Sequence, residues 1–421
     1  MKLSVILLAP LVLATAVPKQ ERKITYDGYK AFRISTEHDA AAVKEKLAGL
    51  SVVPFNFNTE EHLDIAIAPE DITAFEALNL TAEVMHEDLG ADIAKHETFS
   101  AYEGVTAQAI PSLTWFNSYH AYADHMQFFN DLQGAFTQNS EIFTVGNSGQ
   151  GRSIFGIHLW GSGGKGSKPA VYFHGTVHAR EWITAKVVEY ITYNLLVQYS
   201  NNTAVKTVLD SYDFYIIPFV NPDGFVYTQT TNRLWRKNRQ TRTSSSCVGT
   251  DMNRNWPYKW EVTGGASTDP CDETYKGQAA GDTTEIKALV AFTQTLKNSK
   301  GIKLFIDWHS YGQYILTPWG YDCSLKPANH ARQASLASGL ATRIAQSYGT
   351  RFTTGQACAA LYATTGDSTD YLTGAALAEF AWTIELRPTG SSGGGFVLPA
   401  AQILASAIEQ WEGMKYLLAA M

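Results

Sequence analysis

The sequence predicts an α/β protein whose main domain has a mixed, mostly buried sheet with helices on both faces. Three observations lead to this fold class. Apolar strands alternate with long helices over residues 113–421, as they do in α/β domains. Strands such as "AVYFHG" and "DFYIIPFV" are apolar at most positions, which is typical of strands buried on both faces. Residues 18–95 instead alternate short apolar strands with short helical stretches, which predicts a smaller α+β domain.

The first 17 residues have the features of a secretory signal peptide. Lys2 precedes an apolar stretch from Leu3 to Leu13, which is too short to span a bilayer, and small residues follow at 14–16. No later stretch of the sequence is long and apolar enough for a membrane span. We therefore expect a secreted, extracellular product with no part in the membrane.

Residues 18–95 predict one sheet covered by helices on one face. The expected strands are "YKAFRI", "HLDIAIA" and "TAEVMHED", and they alternate with the helical stretches "DAAAVKEKLAGL" and "EDITAFEAL". The histidines of this domain are scattered and indicate no reaction centre. A polar, irregular stretch at 96–112 follows and marks the domain boundary.

Charge and short motifs limit the possible partners. Charged residues make up 17% of the 421 residues and the net charge is -7, with no basic stripe, which argues against nucleic acid as a partner. Two N-x-T sequons make Asn79 and Asn201 candidate glycosylation sites, which agrees with export. Nothing indicates obligate assembly, so we expect a monomer.

The chain has four cysteines, all in its C-terminal half, and an even number in an exported protein predicts disulfides. Three pairings are possible. We expect Cys247 to pair with Cys271 and Cys323 with Cys358, because these bonds close the shortest loops. A structural zinc site would normally need C-x-x-C clusters, and the sequence has none.

Candidate site residues lie near the ends of three predicted strands. Sheets of this kind bind ligands outside the carboxyl ends of their strands. His178 follows "AVYFHG", His309 ends "IKLFIDWH", and Glu385 lies near the end of "AEFAWTIEL". A hydrogen-bonded histidine at a strand end is the commoner explanation for His309 taken alone. For Glu385 the alternative is a salt bridge to Arg387.

These residue types suit a catalytic zinc ion. Such an ion takes three protein ligands, often two His and one Glu, and keeps a position for water. His178 and Glu181 are three residues apart in "FHGTVHAREWIT" and would supply two ligands, and His309 would supply the third. Zinc peptide hydrolysis also needs a carboxylate to accept a proton from water, and positive charge where the oxyanion forms. Glu385 is the candidate carboxylate.

Positive charge is dense in "NRLWRKNRQTR" and "DMNRNW". A solvated basic loop is the usual explanation for such a run. Here Arg233, Arg236 and Arg254 lie among Trp and Asn residues, and guanidinium groups are well suited to binding planar carboxylates. Recognition of a carboxylate is therefore a second interpretation.

Six motifs together resemble the zinc carboxypeptidases of the pancreatic A/B type, and most closely the A type. They occur in the family's order and at similar separations, over about residues 112–421: "HAREWIT", "NRLWRKNR", "SSSCVGTDMNRNW", "HSYGQ", "LYATTGDSTDY" and "TIELRPTG". The resemblance implies a carboxypeptidase-like fold at 113–421. Less specifically, it implies that 18–95 is a ferredoxin-like activation domain and 96–112 an activation linker.

The resemblance also implies roles for individual residues. One Zn²⁺ per chain would be held by His178, Glu181 and His309, with Glu385 as general base and Arg236 stabilising the oxyanion. Asp251 would orient the first zinc histidine. The residues expected to contact substrate are Arg180, Asn253, Arg254, Tyr362 and Thr369. Tyr362 lies in a loop of small residues that we expect to close over the substrate.

Two departures from the family pattern affect specificity and activation. Thr369 stands where members that prefer Lys or Arg carry Asp, which argues against basic specificity, but Asp367 is an acid where the A type usually has a small residue. Neither Lys nor Arg occurs between Lys95 and Arg152, so a trypsin-like protease has no site in the linker beyond Lys95. We expect another protease to cut within about 96–112.

The sequence thus predicts a secreted, zinc-dependent exopeptidase that is made as an inactive precursor. It would release single C-terminal residues, with aromatic or aliphatic side chains preferred, from peptides and proteins with a free C-terminal carboxylate. Two alternatives stay open: the same chemistry with broad or basic specificity, and a non-catalytic binding protein of the same fold. An activating protease is the other expected partner.

Overall fold

The computed structural model describes residues 22–56, 61–106, 108–389 and 393–421, so the expected signal peptide lies outside the described residues. Strands are β1 Lys30–Ser35, β2 Val52–Pro54, β3 His62–Ile67, β4 Ala82–His86, β5 Ser140–Asn147, β6 Ser153–Leu159, β7 Ala170–Gly175, β8 Asp213–Ile217, β9 Ile302–Ser310, β10 Tyr314–Thr317, β11 Thr353–Gln356 and β12 Phe380–Leu386. No helix in these ranges is long and apolar enough to cross a membrane.

Helices connect most of these strands. They are α1 Ala40–Lys46, α2 Ile72–Ala77, α3 Leu89–His96, α4 Tyr122–Ala135, α5 Ile183–Gln198, α6 Thr203–Ser211, α7 Pro222–Thr230, α8 Thr284–Asn298, α9 His330–Tyr348, α10 Ala357–Ala360, α11 Ser368–Gly374 and α12 Ile403–Ala420. Short 3₁₀ turns occur at Pro69–Asp71, Leu113–Asn117, Met252–Arg254 and Ala400–Gln402.

Within the described part of the N-terminal region, β1 to β4 form an antiparallel sheet in the order β2-β3-β1-β4. One face of this sheet packs on α1 and α2 through Phe32, Ile65 and Phe75, as expected. The other face packs on the main domain through a cluster that includes Ala31 and Phe396. The sheet therefore lies between helices α1 and α2 on one side and the main domain, together with α3, on the other.

The element order of this domain differs from the prediction. The structure adds the short strand β2 between α1 and β3, and helix α3 after β4. β2 has only three residues and ends at Pro54, so no alternation of polar and apolar residues could reveal it. Helix α3 begins after Asp88, whose side chain accepts the N–H of Ala91, so the last residue of the stretch predicted as a strand is in fact a helix cap.

In the described part of the main domain, eight strands form a mixed sheet in the order β11-β10-β12-β9-β7-β8-β6-β5. The neighbouring pairs β12/β9, β9/β7 and β7/β8 are parallel, so their carboxyl ends lie at one edge. Alternate residues of β7 pack into two separate cores: Phe173 into one with α5, α9 and α12, and Tyr172 into one with α8 and α11. The predicted buried sheet with helices on both faces is confirmed.

Both disulfides form as expected. Cys247 is bonded to Cys271 and Cys323 to Cys358, which leaves no free cysteine. The first bond links loops on either side of the Asp251 segment, and the second ties α10 to the loop after β10. The two candidate glycosylation asparagines, Asn79 and Asn201, are exposed.

Candidate metal centre and active site

His178 and Glu181 lie in the turn between β7 and α5. Close packing makes this turn tight, because a Cβ on Gly175 would stand 2.8 Å from the carbonyl oxygen of Pro218. Thr176 has φ of +57° and its N–H donates to the hydroxyl of Thr184 at 2.9 Å. The N–H of Glu181 then donates to the carbonyl of His178 at 3.2 Å. The turn thus brings the His178 and Glu181 side chains together at the end of a buried strand.

Three predicted ligand atoms converge at this point. His178 Nδ1 is 2.8 Å from Glu181 Oε1, and His309 Nδ1 is 3.1 Å from His178 Nδ1 and 3.2 Å from Glu181 Oε2. Within the described ranges, these three residues are the group of His, Cys, Asp or Glu side chains whose ligand atoms could hold one metal ion. Ligands of a tetrahedral zinc ion at about 2.1 Å stand roughly 3.4 Å apart. The donors and their spacing therefore fit zinc.

The charges around these ligands are closely balanced. Burial opposes the ionisation of Glu181, but the neighbouring His178 and His309 lower the pKa of its carboxyl far below the ordinary value. Burial likewise opposes the charged form of His309, while Asp307 and Glu181 raise its pKa well above the usual value. Zinc requires the carboxylate to be ionised and both histidines to be neutral, so metal binding here would release the proton that His309 holds.

Asp251 links the metal centre to Arg236. Its Oδ1 lies 3.1 Å from His178 Nε2, on the side of the ring away from Glu181. Its Oδ2 accepts hydrogen bonds from Arg236 Nη2 at 2.8 Å and Nε at 3.2 Å. Burial would raise the pKa of Asp251, but the charges of Arg236 and His178 lower it well below the usual range. The structure therefore places Asp251 where it can fix the His178 ring.

Glu385 lies beside the candidate metal ligands. Strands β9 and β12 pair in parallel register, with Glu385 opposite His309, and both residues line the same cavity. Burial raises the pKa of the Glu385 carboxyl above its usual value, and the positive charges of His309 and Arg236 oppose that rise. The alternative partner, Arg387, instead pairs with Glu409 of α12, so the salt bridge considered from the sequence does not form. Glu385 is thus available to the cavity.

The structure brings most of the other predicted residues to this cavity. Arg254 is buried and its Nε donates to the carbonyl of Gly265 at 2.9 Å. A Cβ on Gly366 would stand 2.5 Å from the carbonyl oxygen of Arg254, so this glycine allows the loop with Tyr362 to pass close to Arg254. The cavity-lining members of the predicted set are Arg236, Asn253, Arg254, Tyr362 and Thr369.

Arg180 and Arg233 point elsewhere in this structure. Arg180 Nη2 donates to the carbonyl of Phe55 at 3.1 Å, and the guanidinium stacks on Phe396. Arg233 is buried over Trp182 and donates to the carbonyl of Phe396. The guanidinium groups of the arginine-rich stretch therefore divide between the cavity and the packing of neighbouring loops.

Three residues of this site were not predicted from the sequence. Asp307 Oδ2 lies 3.4 Å from His309 Nε2. The hydroxyl of Ser368, at the start of α11, donates a hydrogen bond to the same Asp307 oxygen. Tyr311 donates its hydroxyl to Asp64 of the N-terminal domain at 2.6 Å. A signal for Asp307 was present, because it is a charged residue inside an apolar strand and shares a face with His309 two residues later. No sequence signal identifies the other two.

Comparison with known proteins agrees with this geometry. A family model described as zinc carboxypeptidase matches residues 125–413. The metallocarboxypeptidase A of Trichophyton equinum is 43% identical over 424 residues, which covers 100% of this chain and 98% of that protein. The zinc carboxypeptidase A 1 of Anopheles gambiae is 31% identical over 416 residues, or 97% and 94% of the two chains. This chain belongs to the zinc carboxypeptidase family.

The crystal structure of thrombin activatable fibrinolysis inhibitor shows the same fold. It matches with a TM-score of 0.83 at 24% identity and covers 93% of this chain and 98% of that chain. The family resemblance, the carboxypeptidase-like fold and the zinc cofactor expected from the sequence are thereby confirmed. As a member of this family, the zinc carboxypeptidase described here is a peptide hydrolase.

Replacing a candidate metal ligand should abolish zinc binding without unfolding the chain. Substituting a residue that hydrogen-bonds to a metal ligand typically weakens metal binding by about 10- to 100-fold. For Glu181→Gln we expect a larger loss of zinc affinity, because the variant removes the only anionic member of the three candidate ligands. The measurement is zinc content after dialysis against a limiting chelator. Glu189→Gln is a matched control, since Glu189 is also buried and bonded to a histidine, His125, but lies outside the metal group. Equal zinc retention by both variants would contradict the site.

Proposed function

We propose that this zinc carboxypeptidase is secreted as an inactive precursor and, after cleavage, releases single C-terminal residues with neutral side chains. The main support for the proposed catalytic activity is that His178, Glu181 and His309 converge beside Glu385 at one edge of the sheet. We assign these three residues as the zinc ligands. A binding protein without activity would be expected to lack a ligand or the base, and here each is present.

The residues around the metal divide the chemistry between them. Bound zinc supplies a Lewis acid and lowers the pKa of water to about 7. Glu385 accepts the proton of the attacking water and passes it to the leaving amine. Arg236, fixed by two hydrogen bonds to Asp251, presents its guanidinium to the oxyanion. The same carboxylate thereby steadies both a metal ligand and the cationic group.

Exopeptidase action follows from the buried Arg254. Its guanidinium is held by the carbonyl oxygens of Gly265 and Asn253, so it is anchored before substrate arrives. With Asn253 and Tyr362 it would bind the terminal carboxylate of a peptide, and a carboxylate is present next to the cleaved bond only when that bond is the last one. Arg180 would contact substrate further from the C-terminus once the N-terminal domain has left.

The side-chain pocket favours neutral residues. Its lining includes Leu316, Ala357 and Leu361, and the hydroxyls of Thr369 and Thr383 lie 2.9 Å apart. Both oxygens of Asp367 are used internally: Oδ1 caps α11 by accepting the N–H of Asp370, and Oδ2 accepts the hydroxyl of Thr364. Burial also raises the pKa of this carboxyl. Asp367 is thus better suited to shaping the loop than to binding Lys or Arg, which supports aromatic or aliphatic preference.

Contacts between the two domains support the precursor proposal. Arg33, Phe55 and Asp64 of the N-terminal domain line the same cavity as the metal group and Glu385. Arg33 Nε donates to the buried Asp64 at 2.7 Å, and Tyr311 binds the same carboxylate. The backbone carbonyl of Phe55 accepts a hydrogen bond from the Arg180 guanidinium. We expect the N-terminal domain to hinder the access of a peptide to the metal group and Arg180 while it is in place.

The linker offers a protease a limited target. Tyr102 and Val105 both donate to Asp131 of α4, so part of the linker is docked on the main domain. Exposed residues follow this docked part, among them Gln108 and Ile110. We keep the cleavage region at 96–112, by a protease that does not require Lys or Arg.

Replacing the general base should stop turnover while zinc stays bound. Glu385→Gln removes the proton acceptor but no metal ligand, and we expect kcat to fall by about 10²- to 10⁴-fold. Steady-state hydrolysis and zinc content should be measured on the same preparation. Glu379→Gln, at an exposed carboxylate just before β12, is the control. Normal turnover by Glu385→Gln would refute the assignment.

The specificity proposal can be tested with four peptides that differ only in a C-terminal Phe, Leu, Lys or Arg. We expect the cleaved enzyme to have a higher kcat/KM for Phe and Leu, because both oxygens of Asp367, the acid in the pocket lining beside Thr369, already accept hydrogen bonds. Thr369→Asp should shift the preference towards Lys and Arg, and Asp367→Asn should leave the order unchanged. Faster cleavage of Lys and Arg by the unaltered enzyme would mean that the basic alternative is correct.

Cleavage of the linker should switch the enzyme on. Before cleavage we expect little hydrolysis, and after limited digestion with a protease of broad specificity the activity should rise. N-terminal sequencing of the active product should place its first residue within about 96–112. A precursor as active as the cut form, or a mature start beyond residue 112, would contradict the proposal.

A further inference from the structure

The two ring nitrogens of His309 face different partners. Nδ1 faces His178 and Glu181, so it is the nitrogen turned towards the metal position. Nε2 faces away, with Asn253 Nδ2 at 3.3 Å and Asp307 Oδ2 at 3.4 Å. When a neutral imidazole binds a metal through Nδ1, Nε2 carries the hydrogen and needs an acceptor. Which neighbour accepts it decides how the ring is held.

Asn253 cannot be that acceptor. Its Oδ1 accepts the backbone N–H of Ser368 at 2.9 Å, and this bond fixes the orientation of the amide. The amide therefore presents its NH₂ group to His309, and this group only donates. Asp307 Oδ2 is a carboxylate oxygen that only accepts when ionised. Among the neighbours of Nε2 in the described part of the chain, Asp307 is the one that can receive the hydrogen.

Asp307 is placed for this task by the sheet and by α11. It is fully buried on the same face of β9 as His309, which lies two residues further along the strand. Ser368, the first residue of α11, donates its hydroxyl to Asp307 Oδ2 at 2.5 Å. A buried carboxylate is costly unless its partners compensate for the lost water. The contacts of Asp307 Oδ2 with Ser368 and His309 provide part of that compensation, whereas Oδ1 is buried with no hydrogen-bond partner in the described part of the chain.

The contact with Ser368 connects the metal centre to the side-chain pocket. Ser368 lies between Asp367, which caps α11, and Thr369, whose hydroxyl bonds to Thr383 in the pocket. Thr383 in turn lies opposite Asp307 in the parallel pairing of β12 with β9. The segment that lines the pocket is therefore fixed to the same carboxylate that faces His309.

We propose that Asp307 is a positioning residue that accepts the Nε2 hydrogen of His309, and that Ser368 holds Asp307 in place. Each metal histidine then has its own carboxylate, Asp251 for His178 and Asp307 for His309. Such outer partners orient the ring and increase its basicity as a ligand. The inference rests on the proposed ligand set, in which His309 binds zinc through Nδ1.

Zinc affinity measures this role directly and does not depend on turnover. The dissociation constant is obtained by competition with a chromophoric chelator, and unfolding of the metal-free protein is measured in parallel. Asp307→Asn should weaken zinc binding by about 10- to 100-fold. Asp213→Asn is a matched control, because Asp213 is also a buried strand carboxylate, bonded to His158 at 2.7 Å, in the same sheet. Its zinc affinity should be unchanged even if its stability falls.

Two further variants complete the test. Ser368→Ala keeps the Asp307 carboxylate but removes the hydrogen bond that holds it, so it should weaken zinc binding less than Asp307→Asn does. If Asp307→Asn fails to fold, the zinc affinity of Ser368→Ala tests the positioning role. His309→Ala tests the ligand set itself and should lose zinc. Unchanged zinc affinity in both Asp307→Asn and Ser368→Ala, with zinc lost from His309→Ala, would overturn the positioning role alone. Zinc retained by His309→Ala would overturn the ligand set.

Discussion

The parallel register of β7, β9 and β12 is the constraint on which the site depends. It brings the ends of three strands that are distant in sequence to one edge of the sheet, and it sets Glu385 opposite His309. The side chains of a strand alternate between its faces, so a shift of one residue in this pairing would move Glu385 to the opposite face, into an apolar core. The apolar neighbours Trp308 and Ile384, buried in that core, hold the register. Burial of hydrophobic surface thereby fixes the position of a polar group.

The site also concentrates buried charge, which only mutual compensation makes tolerable. Glu181 is stabilised by two histidines, and Asp251 by His178 and Arg236. Removing one member of such a network leaves another charge buried without its partner, which costs about 3–5 kcal/mol. The network therefore holds the proposed ligands close together through their own charges and hydrogen bonds. A divalent cation bound here would add to this compensation.

The sequence was most informative where chemistry depends on short spacing or on a buried strand. His178 and Glu181 are three residues apart, and the strands before His309 and Glu385 are strongly apolar, so their convergence could be predicted from general rules for α/β sheets. The sequence could not reveal the role of residues whose function depends on how a hydrogen-bond partner is oriented in the fold. Asp367 is an acid at the pocket in the sequence, and only its hydrogen bonds reveal it as a helix cap. The short strand β2 was missed because tertiary pairing with β3, not local pattern, creates it.

In the proposed precursor, the same sheet face that closes the cleft also stabilises the loop after β12. Phe396 packs on Phe55, and Arg180 stacks on Phe396 while its guanidinium binds the Phe55 carbonyl. The hydrogen bond from the Tyr311 hydroxyl to Asp64 adds a polar interaction to this apolar contact. While the linker is intact these contacts re-form readily, because a tethered domain has a high effective concentration. Cutting the chain removes that advantage, so the same contacts can hold the cleft shut before cleavage and release it afterwards.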